Sequence, residues 1–550
     1  MLIRPEIVNS ISRFFPSKDD KFGIIKTAFW HRKFASTSSS YNKKPKVLFL
    51  GSGWSSVFFI KNLNPKLFDL TVISPRNYFT FTPLLPKILS GMVETNTSTE
   101  PIIEYMRRNF RNNPHFIHAK CVDVDSDAKS VSCDPLDSGQ PSFSVPYDFL
   151  VIGVGAQTNT FGTKGVEEYA YFLKEIEHAE VAFQKIVDNF RAASMPSLSD
   201  SERRRLLHFL VVGGGPTGVE CTGELSVLMS RHLGKCYPEL MPFVKVSIVE
   251  AGQRLLPSLS QGTSKFVLNV FNKSNVNMYF GKVVSEVKQK SCVLKEIKTG
   301  NTEEIECGLV LWASGLKETD LVTKLKRKWN IPESSRALLV DQYLRLQGLD
   351  NIFCLGDCCK ITPTKLSENV ELVLEKVGTP TLEALVNARK TLAKDFPQVN
   401  DSKWKYKDEK FQKSVSELKE KYTEGTKEHF VEVLKLVDHG YCPPFPTAQN
   451  AKQEAIYLSR LFNSGAVLSG RYVDSAFCEK WKGTLASLGG MKVVMNSPFF
   501  NVNGGLFPFF LWNGVYMLMF SSFKMRFSFF FDLLKNFFFS RHLILKRYSN

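Results

Sequence analysis

Four short, largely apolar runs set the frame of the chain: Val47-Leu48-Phe49-Leu50, Leu70-Thr71-Val72-Ile73, Phe209-Leu210-Val211-Val212 and Val246-Ser247-Ile248-Val249. Each has the length of a strand and lacks the strict alternation of a half-solvated one, so each is predicted to lie in a parallel sheet covered on both faces. Within each pair, a glycine-rich turn and a helix-patterned stretch separate the two strands. Further along, residues 363–445 are charged, lysine-rich and helix-patterned, which predicts a solvated helical excursion. A helix is predicted from Gln449 to Leu461. Gly505 to Phe523 is nineteen residues without a charge, long enough to raise a membrane span. Pro508, Asn513 and Gly514 inside it argue against crossing. Beyond it, Phe527, Phe530, Phe531, Leu534, Phe537 and Phe538 recur at helical spacing opposite Ser528, Asp532 and Lys535, with Lys524, Arg526, Arg541, Lys546 and Arg547 around them. That pattern predicts a helix lying in a membrane interface with a basic rim.

The two turns between the strands carry the chemistry. In Gly213-Gly214-Gly215-Pro216-Thr217-Gly218, Gly213 permits the tight turn, Gly215 lets backbone approach a pyrophosphate, and Gly218 lets the helix pack close to its strand. The strand that follows ends on Glu250, whose carboxylate suits ribose hydroxyls and repels a 2′-phosphate, so the ligand read here is NADH rather than NADPH. Gly51-Ser52-Gly53-Trp54-Ser55-Ser56 is a second turn of this kind, with Ser56 in the third glycine position. Its following strand ends on Ser74 rather than on an acid. Two such turns about 160 residues apart imply two dinucleotides held face to face, one a bound flavin and the other a diffusible nicotinamide. The fold class expected is α/β, with two Rossmann-like domains and a C-terminal membrane-anchoring helical region.

Ser74 to Phe79, Phe81-Thr82-Pro83-Leu84-Leu85-Pro86, Val151 to Gly162, Phe172-Leu173-Lys174-Glu175, Leu311 to Gly315, Asn351 to Asp357, Pro446-Thr447-Ala448-Gln449 and Lys482 to Gly489 stand in an order that resembles the type II, non-proton-pumping NADH:quinone oxidoreductases of respiratory membranes. The resemblance implies FAD bound by Gly51, Gly53, Trp54, Ser74, Arg76, Thr82, Pro83, Leu84, Gly155, Gly356, Asp357 and Gln449. It implies NADH bound by Gly213, Gly215, Gly218, Glu220, Glu250, Ala313 and Gly315. Glu220, Gln449 and Gln453 become the expected catalytic residues, the two glutamines facing a ubiquinone-type quinone. It also implies a homodimer. The domain plan is then a FAD-binding part at 46–165, an NADH-binding domain at 166–330, a return to the first domain at 331–362, the insertion at 363–445, a quinone-site helix at 446–464 and a membrane-associated region at 465–550.

Composition adjusts this picture at its edges. About two-thirds of the net charge of +17 gathers at the two termini, beside apolar residues and with no nucleic-acid motif, which points to a membrane surface. The first 45 residues, basic and ending in a Ser/Thr run, resemble a mitochondrial transit peptide. The 11 Cys are an odd number at irregular spacing, so free thiols are expected rather than a disulfide framework or a metal site. The insertion lacks the D-x-[DN]-x-[DN]-G ligand loop, which speaks against calcium control. Two other readings stay open: a soluble two-dinucleotide reductase, disfavoured in its disulfide form because residues 51–75 contain no Cys, and a flavin-binding redox sensor without turnover.

Overall fold

The computed structural model describes residues 44–110, 115–137, 139–400, 409–472, 476–497, 501–504 and 506–538. The expected leader therefore lies outside the described residues, as do Arg541, Lys546 and Arg547 of the expected basic rim.

Among the described residues two sheets organise the chain. The first runs in the order Ile352–Cys354, Phe149–Ile152, Lys46–Leu50, Asp69–Ser74, His115–Asp125, Ser130–Pro135, Phe143–Pro146. Its first five strands pair in parallel and the last two fold back antiparallel. The second sheet is parallel throughout, in the order Tyr171–Phe172, Leu309–Trp312, His208–Val212, Lys245–Glu250, Val276–Phe280. Lys46–Leu50 and His208–Val212 sit centrally in their sheets, and every residue from Phe209 to Val212 is buried, as their unbroken apolar character requires. Each then delivers its glycine turn to the carboxyl end of its sheet, where open α/β sheets bind ligands. Because Ile352–Cys354 pairs with Phe149–Ile152, the chain returns to the first sheet after completing the second, and Gly356-Asp357 arrives beside the first glycine turn.

The insertion is more than a solvated excursion. Helices Val370–Val377, Leu382–Asn387 and Lys427–Gly440 close a separate small core of Leu366, Val373, Leu385, Phe396, Phe430 and Val437. The Asp438 carboxylate accepts the N–H groups of Leu366 and Ser367 at 3.0 Å each, fastening the end of the insertion to its beginning.

No helix among the described residues is long and apolar enough to cross a membrane. Helix Leu506–Met519 instead puts Trp512 and Tyr516 into the main core. Helix Phe523–Phe538 is amphipathic, with its polar side turned inward. Asp532 accepts the Glu94 N–H at 3.1 Å, Asn536 donates to the Met92 carbonyl at 2.5 Å, and Met525 and Phe529 are buried beside them. The aromatic side faces out: Phe523, Phe527, Phe530, Phe531 and Phe538 are between 45% and 77% exposed. A row of exposed phenylalanines on one helix is an apolar patch that water does not favour, and it marks a docking surface.

Candidate active site

At the first turn, Gly51 has φ 115° and its added Cβ would fall 2.3 Å from the Gly153 carbonyl oxygen, so two strand ends cross there at a distance only glycine allows. Around it Ser74 Oγ donates to Ser52 Oγ at 3.0 Å, Arg76 Nε reaches the same Ser52 oxygen at 3.2 Å, and the Arg76 guanidinium pairs with Glu175. Trp54 Nε1 donates to Thr82 Oγ1 at 3.1 Å, which ties the turn to the Thr82-Pro83 segment. Leu84, expected at the flavin, is fully buried behind that segment and packs in the core instead. Gly356, with φ 72°, donates its N–H to Glu454 Oε2 at 2.6 Å, and Asp357 stands 3.7 Å from Lys174 Nζ.

The second turn repeats the logic. Gly213 has φ 113°, and a Cβ on Gly218 would lie 1.8 Å from the Gly213 carbonyl oxygen, so the helix Pro216–Val227 packs onto its strand as closely as the spacing predicts. Glu250 holds the loop from the next strand: its Oε2 accepts the Gly214 N–H at 2.7 Å and its Oε1 the Gly252 N–H at 2.6 Å. Beyond Gly53, Gly155 and Gly215 there is open space where a side chain would stand, the room a pyrophosphate needs to approach backbone.

One cavity of about 2520 Å³ runs between the two turns. Its wall includes Gly51, Gly53, Trp54, Ser74, Arg76, Thr82, Pro83, Gly155, Gly356 and Asp357 on one side and Thr217, Glu220, Ala313 and Gly315 on the other, with Gln449 and Gln453 closing it. Gly213, Gly215, Gly218 and Glu250 shape the second turn without forming part of this wall. A continuous cavity of this size, met by two glycine turns, fits a flavin dinucleotide along the first and a nicotinamide entering past the second.

The two glutamines differ in their commitments. Gln453 Oε1 accepts the Lys480 N–H at 3.0 Å and its Nε2 donates to the Lys480 carbonyl at 3.2 Å, so this amide braces the 480–482 segment. Gln449 Oε1 accepts the Lys482 N–H at 3.2 Å, and the residue lines the cavity.

Sequence reading named Glu220 without its burial, and missed the buried acids Glu224 and Glu454. Glu220, on the cavity wall, is pushed up to about 8 by burial, against the pull of the Ser487 N–H and Lys87. Glu224, one helical turn on, lies 3.8 Å from the Nζ of Lys87, a lysine only 2% exposed whose ammonium sits 4.3 Å over the Trp512 ring. Two carboxylates against one buried ammonium leave an excess of negative charge, which a proton on Glu220 removes. Glu454 is likewise raised, to about 7, by burial, although the Gly356 N–H and Asn450 amide favour its ionised form. Nothing in the sequence near Lys87 or Glu454 distinguishes them from surface charges on helices, because Glu224 and Gly356, which hold them, come from segments more than 90 residues away.

This last group sets a pH dependence of stability. A carboxyl whose folded pKa is raised contributes stability that is complete below about 4.5 and lost as pH climbs through about 7. For Glu454 the loss is on the order of 3 kcal/mol at full ionisation. Glu454→Gln is therefore expected to flatten the decline in Tm between pH 5.5 and 8.5, and equal slopes for variant and parent would count against the assignment.

The sequence and fold have close counterparts. The family profile for pyridine nucleotide-disulphide oxidoreductases matches residues 45–389, and that for the NDH2 C-terminal domain matches residues 481–542. The external alternative NAD(P)H-ubiquinone oxidoreductase B2, mitochondrial, of Arabidopsis thaliana is 34% identical over 529 residues, covering 91% of this chain and 90% of its own. A probable NADH dehydrogenase of Dictyostelium discoideum is 31% identical, covering 90% of each. The solved structure of NDH2 from Plasmodium falciparum in complex with NADH superposes with a TM-score of 0.84 at 37% identity, over 92% of this chain and 100% of that one. The sulfide:quinone oxidoreductase of Aquifex aeolicus, 16% identical with a TM-score of 0.58, shares the fold alone. With both glycine turns, the returning strand and the C-terminal region all matched in order, the chain belongs to the pyridine nucleotide-disulphide oxidoreductase family and, within it, to the type II NADH dehydrogenases.

Proposed function

We propose that the single cavity holds both half-reactions of an NADH:quinone oxidoreductase, and that its continuity from the first glycine turn through Glu220 to Gln449 is the observation that carries this reading. The chain is a flavoprotein that passes two electrons from NADH to a quinone without pumping protons, and it works as a peripheral protein of the mitochondrial inner membrane. FAD, when bound, supplies the hydride acceptor and the electron relay. The protein supplies position and charge. Gly51, Gly53 and Ser74 would hold the flavin's adenosine and pyrophosphate, and Thr82, Pro83 and Gly155 would border its ring. Asp357, held by Lys174 and by the turn that Glu454 braces, would accept from the ribityl chain. Ala313 and Gly315 line the cavity where a nicotinamide would lie, and Glu220, kept neutral by burial, presents a hydrogen-bond donor to the wall of the site. Gln449 Nε2 is the donor to a quinone carbonyl, and Gln453 keeps the segment opposite in place.

The exposed Phe523, Phe527, Phe530 and Phe531 are the lipid-facing surface, and the protein is expected to act as a homodimer. The reaction is tested with the full-length protein in sealed vesicles. NADH-dependent reduction of a short-chain quinone with no acidification of the lumen is expected, while a proton gradient, or no quinol formed, would refute the reading.

Nicotinamide choice follows Glu250. Its carboxylate is fixed at the edge of the second turn by two backbone N–H groups, where a 2′-phosphate would meet like charge. NADH is expected to exceed NADPH in kcat/KM by about tenfold or more, a difference of about 1.4 kcal/mol. Glu250→Gln is expected to narrow that ratio, and equal ratios in variant and parent would remove Glu250 from the role.

A further inference from the structure

We infer that Lys452 is a catalytic residue of quinone reduction, the cation that stabilises the oxygen on which negative charge develops and the source of the proton that oxygen takes up. The inference rests on the reading that quinone enters beside Gln449.

The helix Ala448–Asn463 begins at Thr447, whose Oγ1 caps the Asn450 N–H. From there Gln449, Lys452, Gln453 and Ile456 fall on one face, three and four residues apart, and all four line the cavity. The Lys452 ammonium rests 4.5 Å from the centre of the buried Phe58 ring. No carboxylate lies within ion-pair distance of it among the described residues.

Its charged neighbours are cations. Lys61 comes from the helix Trp54–Asn62, Lys482 from the segment that Gln449 holds, and Arg526 from the helix Phe523–Phe538. Lys61 Nζ donates to the Ser521 carbonyl at 2.8 Å, and Arg526 Nη2 donates to the Phe520 carbonyl at 3.2 Å. Arg526 also lines the cavity, and its buried Nε has no hydrogen-bond partner among the described residues. The carboxylates of this end of the cavity are turned to other work. Glu454, on the same helix as Lys452, is bound to Gly356 and Asn450, Asp357 faces Lys174, and Glu479 is raised above its usual range by burial.

Like charges converging on a partly buried ammonium are costly unless an electron-rich ligand shares them. Burial and the three neighbouring cations lower Lys452 to about 8, which places it near neutrality, where a proton donor works best. The overall reaction is NADH + H⁺ + quinone → NAD⁺ + quinol. The two electrons and one hydrogen originate in the hydride of NADH, and one proton comes from solution. Lys452 delivers that proton: an N–H bond breaks, an O–H bond forms on the quinol, and the amine left behind regains a proton from water at the mouth of the cavity. Before transfer, the same ammonium and Arg526 favour charge arriving on the oxygen, the function of a preorganised oxyanion site.

The test follows each half-reaction of the holoenzyme by anaerobic stopped flow, with a short-chain quinone in detergent between pH 6 and 10. Lys452→Met is expected to leave flavin bleaching by NADH within about twofold and to slow reoxidation by quinone by about a hundredfold. The loss is expected in kcat more than in quinone KM. The wild-type rate should fall on an alkaline limb near pH 8. Lys452→Arg should recover part of the rate and lack that limb, because guanidinium stays charged there. Wild-type reoxidation in the Met variant, or equal losses in both half-reactions, would overturn the inference. So would a Met variant whose sole defect is weaker binding to vesicles of phosphatidylcholine containing phosphatidylglycerol, which would identify the cation cluster as a lipid-phosphate site. Ile456→Trp separates this outcome from the larger reading, since bulk at that wall should raise quinone KM. If Ile456→Trp does so while Lys452→Met is silent, Lys452 alone is misassigned. If it changes nothing, the quinone site itself lies elsewhere and both readings fail.

Discussion

Gly218→Ala is expected to abolish reduction by NADH while leaving a folded, yellow protein. The added methyl group would sit 1.8 Å from the Gly213 carbonyl oxygen, a backbone atom that cannot swing aside. The helix Pro216–Val227 must then lift from the strand His208–Val212, taking Thr217 and Glu220 away from the cavity wall. A displacement of this kind, about an ångström at reacting groups, costs on the order of a hundredfold in rate, and a damaged turn adds to it. A fall in kcat/KM for NADH of about a thousandfold is therefore expected, about 4 kcal/mol in transition-state binding. The flavin side rests on its own turn, with Gly51 against Gly153 in the other sheet, so flavin content should remain. A variant with ordinary NADH kinetics would show that the second turn does not position the nicotinamide.

The second large effect is on membrane attachment. Phe527 and Phe531 are 55% and 49% exposed, with ring centres 4.5 Å apart on the outward side of their helix. Fully burying such a side chain in lipid is worth about 1.5–3 kcal/mol, and a buried glutamate in its place would be strongly unfavourable. Phe527→Glu with Phe531→Glu should shift the protein from vesicle pellet to supernatant and lower the rate with long-tailed quinones about tenfold or more, with short-chain quinone rates retained. High salt should extract little of the parent protein, because screening weakens only the contribution of exposed basic residues such as Lys524. Quantitative release by salt, or a double variant that stays bound, would replace this anchor with an electrostatic one.

Deleting the tail from Phe499 onward would not isolate the anchor. Trp512, Tyr516, Phe520, Met525 and Phe529 all belong to the main core, and Trp512 carries the buried Lys87 ammonium on its ring. Removing the tail would therefore strip the cavity wall as well as the anchor. The periodicity of the final helix was legible as a row of phenylalanines. Its inward attachment through Asp532 and Asn536 depends on Met92 and Glu94, over 430 residues earlier, and no local pattern records such a pairing.

The same division holds across the molecule. Glycine turns and buried strands are local features, so Gly51, Gly213, Gly218 and the flanking runs could be read in place. Gly356-Asp357 could be placed only through the resemblance, since its role depends on a strand returning to the first sheet. A motif names a segment and not the direction each side chain takes: Thr82 and Pro83 line the cavity, while the Leu84 side chain is buried in the core. The separate core of the insertion was hidden by its many lysines, although Leu366, Val373, Phe430 and Val437 were present at spacings able to build it. The electrostatic character of Lys452 comes from Lys61, Lys482 and Arg526, which converge only in the fold, so no local pattern records it.

The central claim is that one cavity and one flavin serve NADH and quinone in turn. It is tested most directly by mixing the full-length, flavin-loaded protein anaerobically with one equivalent of NADH and then with one equivalent of short-chain quinone while recording the flavin spectrum. The prediction is full bleaching on the first addition and full recovery on the second, with one quinol formed per NADH consumed. Bleaching that persists until oxygen is admitted would contradict it, since the reduced site would then have no route to quinone.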